Sequence, residues 1–219
     1  MRDRILVLGI GNMLWADEGF GVRAVAALHD GWRFPNSVSL LDGGTQGLYL
    51  LPYVREASRI VVFDAIDYGL APGTMLALRD GEIPARLSTG KMSPHQTSFQ
   101  EVVALASLSG WKPGALLLIG VQPRELRDFG GTLSPVVKAR LPDALDLALA
   151  TLAAWGAAGT ARTAPPEEPL LGPGLAMDEY EAGRPPEAVA WRHGDARVFN
   201  CAVAPAPSVA PAKAGAQSD

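Results

Sequence analysis

Short apolar runs punctuate the first two-thirds of the chain, most of them ending at a glycine or an acid. Ile5-Leu6-Val7-Leu8, Val38 to Leu41, Arg59 to Phe63 and Ala115 to Val121 have this form. Runs without polar alternation predict strands buried on both faces, as in parallel sheets. Between them the spacing turns helical. Phe20, Val22, Val25, Ala26 and Leu28 supply one face of a helix predicted from Asp17 to His29, with Asp17 as its cap and Asp30-Gly31 as its stop. A second helix is predicted over Gly47 to Glu56, with Pro52 tolerated near its start. Thr97 or Ser98 caps a third that runs through Leu108, and Ser134-Pro135 opens a last one reaching Trp155. Pro142 should kink or split that last helix. Thr74 to Leu78 reads as a short edge strand, antiparallel to the rest.

Strands alternating with helices predict an α/β fold: a three-layer α/β/α sandwich around a twisted, mostly parallel sheet. Residues 1–156 form this domain. The composition then changes, with nine of the 18 prolines lying from Pro165 onward. Residues 157–219 are therefore expected to be a Pro/Ala-rich, largely irregular extension, disordered from Ala204. Within it, Ala188 to Val203 carries Trp191, His193 and Phe199 and is a candidate for docking back on the domain.

Composition narrows the function classes. At 219 residues, 48% apolar and 19% charged, the chain suits one well-buried domain. A net charge of −4 gives no reason to expect nucleic acid or an anionic membrane as partner. Met1-Arg2-Asp3-Arg4 leads straight into a strand without a signal-peptide core, and no apolar run could span a bilayer. Cys201 is the only cysteine, so no internal disulfide or cysteine-rich metal site can form. A cytoplasmic location is expected.

In open α/β sheets the acting groups gather at the carboxyl ends of the strands. Asn12 to Glu18, Asp42, Asp64 and the His95 loop all fall there. The first of these, after a strand and two glycines, invites comparison with a phosphate loop. Asp17 and Glu18 argue against it, because a helix start that binds anions through free N–H groups is a poor place for two carboxylates. Leu14 also stands where a dinucleotide fingerprint needs glycine. No Gly-x-Ser-x-Gly elbow is present, and Cys201 lies in the tail, so neither a serine nor a cysteine nucleophile is supported.

Each acid alone could simply satisfy a nearby amide, and a loop histidine is more often solvated than ligating, as His29 illustrates. Together, Glu18, Asp64 and His95 offer two oxygens and a nitrogen, which suit a borderline divalent ion such as zinc or nickel with positions left open.

The run Gly9-Ile-Gly-Asn-Met-Leu-Trp-Ala-Asp-Glu-Gly-Phe-Gly-Val, then Asp42-Gly-Gly-Thr, Asp64-Ala, Ser93-Pro-His-Gln and Gly120-Val-Gln-Pro resemble the hydrogenase maturation proteases, in order and spacing from Ile5 to Trp155. The resemblance implies a five-stranded sheet and a metal-dependent, aspartic-type endopeptidase. Its expected substrate is the [NiFe] hydrogenase large-subunit precursor, which loses a C-terminal extension after nickel insertion. The family's metal-contacting and catalytic positions map onto Glu18, Asp64 and His95, while Asp42, Gly43, Gly44 and Thr45 are expected to shape the substrate groove. So few ligands should hold a free ion loosely, so nickel is expected to arrive with the substrate; zinc or cadmium could stand in for it in vitro. A monomer meeting its precursor transiently is expected. The rival reading is a nickel-checking chaperone of the same precursor that cuts nothing.

Overall fold

The computed structural model describes residues 3–80, 82 and 102–184. His95, the cap at Thr97 or Ser98, and the segment Ala188 to Val203 lie outside them. The apolar runs form the strands they predict: β1 (Ile5–Ile10), β3 (Val38–Gly44), β4 (Arg59–Ala65) and β6 (Ala115–Val121). A two-residue strand, β2 (Trp32–Arg33), intervenes, and β5 (Met75–Arg79) is the predicted antiparallel edge. The five-stranded sheet runs in the order β3-β1-β4-β6-β5, and every pairing except β5 with β6 is parallel. Burial follows position in the sheet. Central β1 is buried at every residue, whereas edge strand β3 is mostly half-buried.

Alternation along each strand divides the core into two layers. Val7, Val61, Phe63, Leu117 and Ile119 face α1 (Phe20–Gly31) and α5 (Leu141–Ala154), meeting Phe20, Leu28, Ala148 and Leu152. Leu8, Ile60, Val62 and Leu118 face α2 (Leu51–Glu56) and α3 (residues 102–108), through Val54, Val102 and Ala106. Each fully buried leucine, isoleucine or phenylalanine is worth roughly 1.5–3 kcal/mol, so these two layers carry the fold. As its proline predicts, the last helix is split. A short α4 (Pro135–Lys138) is followed by α5, with Pro142 in the first turn of the second piece, where a missing N–H costs nothing.

Chain beyond α5 runs back over α1. β7 (Thr160–Ala161) pairs antiparallel with β2, and the Arg162 Nε–H donates to the carbonyls of His29 (2.9 Å) and Trp32 (3.1 Å). Leu171 packs on Val22 and Ala26, ahead of a last helix, α6 (Met177–Ala182). No helix among the described residues is long and apolar enough to cross a membrane.

Candidate active site

After β1 the chain crosses to β3 on one side; after β3 it returns to β4 on the other side of β1. The gap between the carboxyl ends of β1 and β4 is thus the topological switch point, where departing loops leave a crevice. The segment carrying Glu18 leaves β1 there, and Asp64 lies on the next-to-last residue of β4.

Two glycines bring these loops together. Gly11 has φ +130°, and a Cβ on it would stand 1.8 Å from the Glu18 carbonyl oxygen, so only glycine lets the chain fold back that far. A Cβ on Gly21 would stand 2.2 Å from the carbonyl oxygens of both Ile10 and Phe63. The start of α1 therefore rests directly on the ends of β1 and β4, three residues after Glu18 and beside the residue that precedes Asp64.

The helix begins later than expected. Ala16–Gly19 is a 3-10 turn, and α1 starts at Phe20. Asp17 does not cap it: neither helical segment has a side-chain cap. Its carboxylate is instead fully buried and turned toward the loop after β6, with Oδ2 accepting from the N–H groups of Arg124 (2.8 Å) and Glu125 (2.9 Å). A cap would leave it half in water. Four donors from a distant loop offset its burial instead. Ala16, just before it, sits at φ +42°, an uncommon backbone for a residue with a Cβ.

Glu18 is half-buried, and Asp64 is buried at 5% exposure. By strand alternation Asp64 shares the face of Ile60 and Val62, the face on which α3 packs. Asp42 pairs in register with Gly9, and Gly9 with Phe63. Asp42 is therefore two strand spacings, roughly 10 Å, from the β4 end that bears Asp64. Its Oδ1 accepts the Gly44 N–H at 2.9 Å, and the Gly44 carbonyl accepts the Gly11 N–H at 3.0 Å. This turn fixes the β3 side of the crevice, with Gly43 buried and Thr45 exposed. Burial pushes the Asp42 carboxyl above its ordinary value, partly offset by the Gly44 hydrogen bond. No group of three or more metal-ligating side chains occurs among the described residues, which do not include His95.

Gln122 is a second polar residue whose role the sequence did not reveal. Buried at 5% exposure, its Oε1 accepts the N–H groups of Tyr68 (2.8 Å) and Leu70 (3.1 Å), and its Nε2 donates to Asp67 (2.9 Å). The proline after it was legible, but no sequence pattern announces a side chain whose partners lie more than fifty residues away.

An open α/β protein with carboxylate-bearing segments meeting at its switch point is the class that fold and site define. The chain belongs to the hydrogenase maturation protease family, whose model matches residues 22–151. It is 56% identical over 193 residues to a hydrogenase expression/formation protein, HoxM, of Azotobacter vinelandii, covering 88% of this chain and 93% of that one. To the hydrogenase 2 maturation protease of Escherichia coli strain K12 it is 43% identical over 162 residues, 74% of this chain and 98% of the other. The solved structure of the hydrogenase maturating endopeptidase HybD from E. coli superposes with a TM-score of 0.69 at 42% identity, covering 73% of this chain and 98% of that chain. The chain is thus a hydrolase, an endopeptidase of hydrogenase maturation.

Proposed function

We propose that this endopeptidase removes the C-terminal extension of the [NiFe] hydrogenase large-subunit precursor after nickel insertion, and that Glu18, Asp64 and His95 complete the coordination of the nickel that the precursor carries. The observation behind this reading is the close seating of Gly21 on Ile10 and Phe63, which brings the Glu18 segment against the strand end that bears Asp64. Two carboxylates and an imidazole are a donor set for a borderline divalent ion, and zinc or cadmium could replace nickel in vitro. The helix that the chain enters after the His95 segment, α3, packs on the same face of the sheet as Asp64, in keeping with a third ligand from that segment.

Nickel held there would supply Lewis acidity to the scissile carbonyl, or one of the carboxylates would activate the attacking water. The protein's own residues do the rest. Glu18 and Asp64 hold the metal-bearing end of the precursor against the crevice. The fixed turn of Asp42, Gly43, Gly44 and Thr45 lines the path of the adjoining peptide. The reaction is that of a metal-dependent, aspartic-type endopeptidase, carried out in the cytoplasm by a monomer that meets its precursor transiently.

The test is the intact mass of nickel-loaded precursor after incubation with the parent protein and with Glu18→Gln, Asp64→Asn and His95→Ala. Loss of the extension with the parent alone is expected. Full activity of His95→Ala would remove His95 from the ligand set. Binding without any mass change, even with the parent, would mark a nickel-checking chaperone instead.

A further inference from the structure

Two buried polar side chains take no part in the chemistry proposed above, and both are committed to one loop, residues 122–134. Asp17 accepts from the backbone of Arg124 and Glu125, from the Ser134 N–H at 2.6 Å and from the Ser134 hydroxyl at 2.9 Å. Its own N–H donates to the Glu125 carbonyl at 3.1 Å. Gln122 ties the start of the same loop to Asp67, Tyr68 and Leu70, just beyond Asp64. The loop is therefore fastened on one side to the residue before Glu18 and on the other to the chain leaving β4.

We propose that Asp17 is a positioning residue for the cleavage reaction. It fastens loop 122–134 to the Glu18 segment while Gln122 fastens it to the chain leaving β4, so that Glu18 and Asp64 keep a fixed spacing before any precursor arrives. This rests on the reading of Glu18 and Asp64 as acting groups. Two hydrogen bonds of its side chain go to the rim loop at Arg124 and Glu125, and two go to Ser134, which ends that loop and stands at the N-cap of α4. The neighbouring contacts close the same seam. The Gly130 N–H donates to the Leu14 carbonyl at 2.7 Å, and the Trp15 ring meets Phe129 edge-on, with centroids 5.2 Å apart. The left-handed backbone of Ala16 is what a short link held firmly on both sides would show. Preorganisation of this kind lets acting groups contribute without rearranging during the reaction.

Asp17→Asn tests the proposal on the full chain, with Ser134→Ala as a milder partner. The amide keeps the shape but sets an NH2 where a carboxylate oxygen must accept. Ser134→Ala removes one donor and leaves the carboxylate its three backbone bonds. Amide hydrogen exchange and cleavage of nickel-loaded precursor are measured on both. Exchange should quicken across residues 122–134 while β4 and β6 stay as protected as in the parent. In Asp17→Asn, kcat should fall at least about tenfold with KM within about twofold, because misplacing an acting group by about 1 Å costs up to about 100-fold. A lost fold element would instead quicken exchange in the strands. Unchanged loop exchange overturns the proposal, and so does a loosened loop with parent-like kcat. If Asp17→Asn unfolds the chain, Ser134→Ala decides. A local rise in exchange with a kcat loss of about threefold supports the clamp, and no local change refutes it. A parent protein that never cuts the precursor would remove the proposed function, and loop exchange alone would then decide whether Asp17 fastens the rim.

Discussion

Replacing Gly21 by alanine sets two effects of opposite sign against each other. In an open helix interior the change should stabilise, since glycine costs roughly 0.5–1 kcal/mol relative to alanine. Here the new methyl would stand 2.2 Å from two carbonyl oxygens and 2.7 Å from the Ile10 nitrogen, against 3.4 Å or more for ordinary contact. Those atoms belong to β1 and β4 backbone, which cannot rotate away as a side chain could. Relief therefore requires α1 to lift by about 1 Å, and overpacking of this kind costs about 1–3 kcal/mol. The clash wins. A net loss of about 1 kcal/mol should lower the melting temperature by about 2–4 °C for a chain of this size. The same displacement carries Glu18 away from β4, so cleavage should fall by up to about 100-fold. Gly31→Ala is the control: it lies at the end of the same helix, and a Cβ there meets nothing within 4 Å. Thermal unfolding of both variants, with precursor cleavage rates, makes the comparison. A Gly21→Ala protein as stable and active as Gly31→Ala would refute the claim that α1 rests on the strand ends.

Other consequences follow from the charges. Asp42 is half-buried, and its folded carboxyl titrates above its ordinary value of 3.8 because of burial. Protonation thus favours the folded state, and its contribution to stability declines as pH rises from that value through the raised one. Asp42→Asn keeps the acceptor for Gly44 while removing the charge. It should be at least as stable as the parent at neutral pH, with the advantage vanishing below about pH 4, as thermal melts across pH would show. Glu181 behaves oppositely. Its hydrogen bond to Lys138 is the main cause of a lowered carboxyl, opposed by burial and helped by Thr132. Its stabilisation is present above the ordinary value of 4.5 and is lost as pH falls through the lowered one. Glu181→Gln should cost under about 1 kcal/mol at neutral pH and nothing in strong acid, checked by melts at both. Arg23 is buried, donates to the Leu175 carbonyl and lies 4.9 Å from the centre of the Tyr180 ring, so Arg23→Met should release residues 170–184 from α1. Limited proteolysis should then cut that segment while residues 3–80 resist.

Local signals served well where the energetics are local. β1, β4 and β6 are apolar on both faces, so composition alone marks them as central, and the single antiparallel edge was legible from the short run after Pro72-Gly73. Pro142 announced the division between α4 and α5. Asp17 misled because an acid before an apolar periodic stretch is the usual mark of a helix cap, whereas its actual partners, Arg124, Glu125 and Ser134, are more than a hundred residues away. The chain after α5 was hard to read for a related reason. Its prolines and alanines carry no periodicity, and what fastens it to the domain is a buried arginine on α1, an ion pair between Arg184 and Asp128 at 2.6 Å, and a two-residue strand. Glu18 and Asp64 were legible as candidates because strand ends and sheet topology restrict where functional groups can meet. The glycine contacts that bring their segments together became visible only with the backbone in place.

The Glu18, Asp64 and His95 site is proposed to act on nickel carried by the precursor. Its most direct test is the intact mass of the large-subunit precursor after incubation with this protein, with the precursor prepared nickel-loaded and nickel-free. Loss of the C-terminal extension from the loaded precursor alone is the predicted result. Equal trimming of both would contradict it.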